Sequence, residues 1–314
     1  MTKSSWRPYV VLAIGLAAVS SSAILIRFAQ ADGAPSLVIS AWRLGLATLI
    51  LTPIVIAKYR TQLAQLDRTA IGLLVLSGVL LGVHFASWIT SLEYTSVTSS
   101  VVLVSTSPLW VVLAVPVFLK ERWTRLILIA VLIAVAGAVV ISLTGNAGTA
   151  PRQDSPMFGN GLAVIGAIAI AGNYMIGRRV RATLDVIPYS WLTYAIAAIV
   201  VMVAVVITRQ PVTGLAPSAY FWMTLVGLIP QLIGHSAYNY ALGYLSAAYV
   251  SLTILVEPIG SAILAAMFLA EQPTGGQIVG GAVVLFGLVL ASREESRSVR
   301  QVEQEAAITE LTGM

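Results

Sequence analysis

Glu257 stands directly before Pro258 inside a long apolar run, and no other acid lies as deep in such a run in this chain. A charge at mid-membrane depth costs about 2.5–3.5 kcal/mol on insertion scales, so it calls for a reason. Glu257 could carry a proton, bind a cationic group, or hold its helix against a neighbour. Helical spacing puts Tyr249, Thr253, Gly260 and Ser261 on its face. Arg43 is the opposite charge, about 10 Å into another apolar run at 1.5 Å per residue. It could bind an anion, pair with Glu257, or snorkel to the outer interface. His84 shares a helical face with Ser87, Trp88 and Ser91, and His235 shares one with Gln231, Tyr238, Asn239 and Leu242. Such polar and aromatic stripes suit a cavity that stacks and hydrogen-bonds an amphipathic metabolite. The plainer alternative is a pair of core histidines bonded to neighbours. Asn173, Tyr174, Ser105 and Ser107 are further candidates for the same cavity.

Other chemistries are missing from the sequence. It has two histidines and no cysteine, too few for a His/Cys metal centre. No Gly-rich phosphate loop with its lysine is present, so no nucleotide-driven motor is encoded. No cofactor is expected. A single deep carboxylate also argues against intramembrane hydrolysis.

The elements that carry these residues are set by composition. Of 314 residues, 58% are apolar and 10% charged. Soluble domains carry roughly a quarter charged residues, so this chain could not clothe a water-facing surface. Mean hydropathy is +0.91. The net charge of +5 belongs to loops rather than to a nucleic-acid surface. A spanning helix needs about 20 mostly apolar residues. Ten such runs are present: 9–30, 36–58, 69–91, 95–119, 123–143, 157–177, 186–207, 219–243, 248–270 and 273–292. No ten-residue alternating pattern points to a barrel.

The first run has the outline of a signal peptide, with Lys3 and Arg7 ahead of it and Ser20, Ser21, Ser22 and Ala23 within it. The apolar run resumes at Ile24, so the expectation is an uncleaved first helix. Trp6, Tyr9, Tyr59, Trp123 and Tyr220 fall near run ends, where aromatic anchors sit. With the N-terminus inside, inner segments hold 14 of the 18 basic residues, among them Lys58, Lys120, Arg122, Arg178 and Arg293. Outer loops hold Arg152 and Arg209. That bias places both termini in the cytoplasm.

The two halves repeat. At an offset of 150, Leu92 falls on Leu242, Tyr94 on Tyr244, Pro108 on Pro258, Glu121 on Glu271, Gly137 on Gly287 and Ser142 on Ser292. Trp42 pairs with Trp191 and His84 with His235 at neighbouring offsets. The expected domains are a first five-helix repeat at 9–143, a linker at 144–156, a second repeat at 157–292 and a cytoplasmic tail at 293–314. Five is odd, so the second copy enters the membrane inverted. The loop with Lys120, Arg122 and Arg125 is basic, while its mate at Ala270-Glu271-Gln272-Pro273 has no basic residue. Inverted repeats are a secondary-transporter architecture.

Val256-Glu257-Pro258, continued by Ala265, Phe268, Glu271, Gly280 and Gly287, resembles the signature of EamA-like proteins in the drug/metabolite transporter superfamily. Ser107-Pro108, Phe118, Glu121 and Gly137 form its first-half mate, with Ser107 where the second half has Glu257. Ala41-Trp42-Arg43 resembles the family's Trp-Arg pattern. The resemblance covers about 9–292. It implies an all-α polytopic membrane protein of ten transmembrane helices in two inverted five-helix repeats, and export of small metabolites.

The expected function is a secondary transporter, exporting an amino acid or a related amphipathic compound by alternating access. Its expected place is the bacterial inner (plasma) membrane. The alternatives are a nucleotide-sugar or lipid-linked headgroup translocator, or a non-transporting membrane accessory subunit. Expected partners are a small-molecule substrate and the lipid bilayer, with no nucleic acid. Gly276 with Gly280, and Ala130 with Ala134 and Ala138, are small-residue pairs that permit close helix approach. They could pack within the chain or form a homodimer face.

Overall fold

The computed structural model describes residues 6–95, 97–118, 124–144, 155–269, 274–276, 278–287, 289–291 and 293–294. The Lys120 and Glu271 loops, most of the 144–156 linker and the tail beyond 294 lie outside the described residues. Among the described residues the structure is all-helical, with no strand.

The first half comprises α1 (Arg7–Ser20), α2 (Ser22–Ala31), α3 (Ser36–Lys58), the short α4 (Arg60–Ala64), α5 (Arg68–Tyr94), α6 (Val97–Val104), α7 (Ser107–Phe118) and α8 (Arg125–Thr144). The second comprises α9 (Pro156–Val180), α10 (Val186–Ile207), α11 (Pro217–Val226), a π-helical stretch Gly227–His235, α12 (Ser236–Ala241), α13 (Ala247–Thr253), a 3-10 turn Ile254–Val256 and α14 (Glu257–Leu269). A further apolar helix covers Ile278–Ala291. Among the described residues, five helices are long and apolar enough to cross a membrane: Arg7–Ala31, Ser36–Lys58, Arg68–Tyr94, Met157–Val180 and Val186–Ile207. Their outward residues are apolar, Leu49, Ile199, Val206 and Ile207 among them. An apolar exterior of this extent fits lipid rather than water.

Several runs that read as plain helices are interrupted, and the causes are local. Proline has no N–H to bond the carbonyl four residues back. Pro108 frees the Val104 carbonyl, and the helix breaks between α6 and α7. Pro258 does the same for Ile254, and the chain passes through the 3-10 turn before α14. The two breaks occupy the same place in the two repeats. Pro230 lies inside the π-helical stretch, where the wider turn accommodates the missing donor. At Ser21 the first run bends. The Ser20 and Ser21 hydroxyls donate to the Leu16 and Ala18 carbonyls at 2.9 and 2.7 Å, a back-bonding pattern that bends helices.

Packing mirrors the repeat. α5 lies along α9, and α1 lies along the π-helical stretch and α12, so the first helix of each half meets the third of the other. α3 packs on α10, the second helices of both halves. The α1 crossing is close because Gly15 and Gly234 meet there: a Cβ on Gly15 would fall 2.6 Å from the Ala237 Cβ and 3.1 Å from the Gly234 carbonyl oxygen. α8 meets the last helix through Gly137, Gly280, Ala134 and Gly287. These small residues therefore pack within the chain. Arg178 and Arg181 donate to the carbonyls of Leu242 and Asn239 at 3.3 and 3.0 Å, tying the end of α9 to the end of α12.

Candidate functional site

The helix breaks and the π-helical stretch converge on one cavity. Its lining consists of six pairs, each with one residue from either half at an offset of 150 to 152: Val19 with Ile170, Ser22 with Tyr174, His84 with His235, Trp88 with Tyr238, Val104 with Ile254, and Ser107 with Glu257. A space whose walls are drawn pairwise from two repeats lies on the axis that relates them. It is narrow, with room for a few water molecules rather than a metabolite.

An aromatic wall runs through it. His84 and Trp88 stack with ring centroids 5.9 Å apart, and His84 lies 6.4 Å from His235. His235 meets Tyr238 edge-on at 6.0 Å, and Tyr238 meets Tyr174 at 6.3 Å. His84 is fixed by Nδ1, which lies 2.9 Å from the Gly166 carbonyl oxygen. A carbonyl can only accept, so Nδ1 carries the proton and Nε2 is left for a ligand.

The polar groups of this wall are mostly unsatisfied. Trp88 Nε1, Tyr174 OH, Tyr238 OH and Ser107 Oγ are buried and have no hydrogen-bond partner. Buried polar groups without partners are rare in folded proteins, and each carries a penalty of about 1–3 kcal/mol. Four around one cavity mark a place where water or a ligand supplies the missing partners. The Glu257 side chain lines the same cavity from the first turn of α14 and is 7% exposed.

Arg43 lies behind this wall. It is fully buried and does not snorkel. Its Nε donates to Gln231 Oε1 at 2.8 Å, and its Nη1 reaches Ser22 Oγ at 3.4 Å. Its guanidinium carbon sits 4.0 Å from the centre of the Phe85 ring, a cation–π contact. Its close polar contacts are Gln231 and Ser22, and no ion pair joins it to Glu257.

The residues expected from sequence thus divide. His84, Trp88, His235, Tyr238, Tyr174, Ser107 and Glu257 share the cavity. Asn239, expected there from its helical face, and Asn173, a further candidate for the cavity, instead bond between helices. Asn173 Nδ2 donates to the Ser77 carbonyl and hydroxyl at 3.1 and 2.9 Å. Asn239 Nδ2 donates to Ser190 Oγ at 3.0 Å and to the Tyr194 hydroxyl at 3.3 Å. The Thr253 hydroxyl turns back to the Val250 carbonyl at 2.6 Å. Ser105 is buried in the α6–α7 break, outside the lining, with its hydroxyl unpaired. The sequence reading missed Val19, Ser22, Val104, Ile170 and Ile254 as lining and Gln231 as the partner of Arg43. The repeat offset was the available signal for Val104 and Ile254. A Gly-Pro-Gly pattern at 227, 230 and 234 marked the irregular helix that carries Gln231.

Comparison with known proteins places this architecture. The EamA-like transporter family model matches residues 7–143 and again 157–293. A Streptantibioticus cattleyicolor protein described as a probable terminal-alkyne amino-acid exporter is 28% identical over 61% of this chain, and the match spans 62% of that protein. The uncharacterised transporter YyaM of Bacillus subtilis is 24% identical over 81% of this chain and 83% of its own length. A solved crystal structure superposes with a TM-score of 0.74 over 92% of this chain and 98% of its own, at 17% identity, which shows a common fold. The family and these relatives are transporters rather than enzymes. Matched once in each half over most of its length, this integral membrane protein belongs to the EamA-like transporter family.

Proposed function

We propose that the protein is a secondary transporter that exports a small amphipathic metabolite, an amino acid or a close relative. It works by alternating access through ten spans arranged as two inverted five-helix repeats. Its place is the bacterial inner membrane, with both termini cytoplasmic, as the bias of basic loops supports. The observation that carries the reading is the cavity itself, built pairwise from both halves and walled by aromatic rings with unpaired polar atoms. Helices broken at a central site are typical of transporters in which one repeat rocks against the other.

The lining also supports the substrate class. Among the described residues it has aromatic faces, several hydrogen-bonding ends and one carboxylate, and no lysine or arginine lines it directly. A diphosphate-bearing ligand such as a nucleotide sugar calls for cations there, so this chemistry favours a smaller amphipathic molecule. Glu257 is the coupling group of this proposal. An isolated charge in a dry cavity is costly, so the carboxylate is neutralised by a proton or by a cationic group of the substrate. Exchange of one for the other gives proton-coupled export. The titratable or charged groups around it are Arg43 on α3, His84 on α5, Tyr174 on α9, His235 on the π-helical stretch and Tyr238 on α12.

Flux into proteoliposomes from a panel of amino acids and related metabolites tests this. Tyr238→Phe removes a hydroxyl with no protein partner, so folding and insertion are expected to be unchanged. Substrate affinity should fall about three- to tenfold, the worth of one neutral hydrogen bond. Trp88→Ala should weaken affinity by about tenfold or more, as for a large central contact residue, and more than it lowers expression. Unchanged affinity in both variants would remove the cavity from the transport path.

A further inference from the structure

Arg43 has more donors than it has acceptors. A guanidinium offers five N–H donors and no acceptor, yet Arg43 meets only the Gln231 carbonyl and, at 3.4 Å, the Ser22 hydroxyl. Arg43 Nη2 has no partner. Beside it, Gln231 accepts from Arg43 through Oε1, while its own donor Nε2 makes no hydrogen bond of good geometry, although the Tyr194 hydroxyl lies near it. Both side chains are fully buried. Two unsatisfied donors, one of them charged, are therefore held together in the membrane-embedded core. No carboxylate lies within ion-pair distance of Arg43 among the described residues. Removing a charge from water without an ionic partner is strongly unfavourable, and packing against Phe85 offsets only part of this.

The pair lies one layer behind the cavity wall. Ser22, which Arg43 touches, and His235, four residues beyond Gln231, both line the cavity. The lining also carries Glu257, so a cation stands behind the cavity and an anion on it. A planar carboxylate has two oxygens and could accept from both Arg43 Nη2 and Gln231 Nε2, one of these donors being charged.

We propose that Arg43 and Gln231 form the carboxylate subsite of an α-amino acid, with Glu257 facing its ammonium group and the aromatic wall its side chain. The assignment rests on the transport reading above. It also accounts for the narrowness of the cavity. The carboxylate subsite lies behind Ser22, so binding requires the first helix to shift at its Ser21 bend.

The test is binding of the proteinogenic L-amino acids to the purified full chain, each compared with its uncharged α-amide and its decarboxylated amine. The wild type should prefer the best acid over its amide by about tenfold or more, the scale of a charged hydrogen-bonded pair. Gln231→Glu gives Arg43 an internal partner and replaces the free donor with an anion. It should fold, should abolish the preference for acid over amide, and should keep the amine within about threefold of wild type, within 1 kcal/mol. Gln231→Met, which keeps length and removes both polar ends, should reduce the preference in the same direction and provides the second variant. Glu257→Gln should show the complementary loss, weakening the amine and leaving the preference for acid over amide. An unchanged preference in both Gln231 variants would overturn the subsite while leaving transport intact. So would stabilisation of the protein by chloride with no discrimination between acid and amide. If no amino acid, amide or amine binds the wild type, the substrate class proposed above fails, and this subsite fails with it.

Discussion

Glu257→Gln is expected to leave the protein folded and inserted and to abolish the response of transport to a pH gradient. One pH unit across the membrane is worth about 1.4 kcal/mol per proton, a roughly tenfold accumulation for one proton exchanged per substrate. Export against inward proton movement drives substrate toward the acidic side. In proteoliposomes with an acidic interior, the wild type should therefore concentrate substrate inside, and dissipating the gradient should abolish the effect. The glutamine keeps the shape and a hydrogen-bonding end but cannot titrate. The variant should still equilibrate a substrate that lacks the ammonium group, with no dependence on the gradient. Gradient-driven accumulation at the wild-type level in Glu257→Gln would contradict the coupling role. Failure of the variant to insert would instead assign Glu257 to holding α14 in place. The repeat sharpens this prediction, because Ser107 occupies the corresponding place in the first half and cannot carry charge. Coupling is therefore one-sided, and Ser107→Ala should leave the pH response intact.

The second large effect is all-or-none. Cysteines placed singly at Lys120 and at Glu271, in a chain with no native cysteine, should label with an impermeant thiol reagent from opposite faces of the membrane. Lys120 should react from the cytoplasmic side and Glu271 from the outer side. Labelling of both from one side would remove the inversion and with it the structural basis for alternating access.

The sequence carried the helical class, the repeat and the cavity's principal residues, for identifiable reasons. Long apolar runs separated by charged turns read as membrane helices, and among the described residues five of them stand in the structure as helices long and apolar enough to span. The offset between the halves stays within 150 to 152 through the cavity residues, pairing Trp88 with Tyr238 at 150 and His84 with His235 at 151. Ser107 and Glu257 were visible because a polar residue before proline in an apolar run is conspicuous. What the sequence hid depends on tertiary context. Asn173 and Asn239 have the right periodicity for the cavity, but Ser77, Ser190 and Tyr194 on adjacent helices offer nearer partners. Periodicity places a residue on a face and does not say which neighbour that face meets. The Arg43–Gln231 contact joins residues 188 apart through a π-helical stretch, and the register of that stretch does not follow helical spacing. Ser22 sits at a bend whose serine run could be read from sequence as a cleavage-like region.

The central claim is that one cavity, shared by the two repeats, opens in turn to each side of the membrane. A single cysteine at Ser107 tests this most directly. The position is buried, lies on the cavity and differs from cysteine by one atom. The account predicts that Ser107→Cys reacts slowly with an impermeant thiol reagent added from either side of sealed vesicles, and that a transported amino acid protects it from both. Reaction from one side alone, or reaction that substrate leaves unchanged, would contradict it.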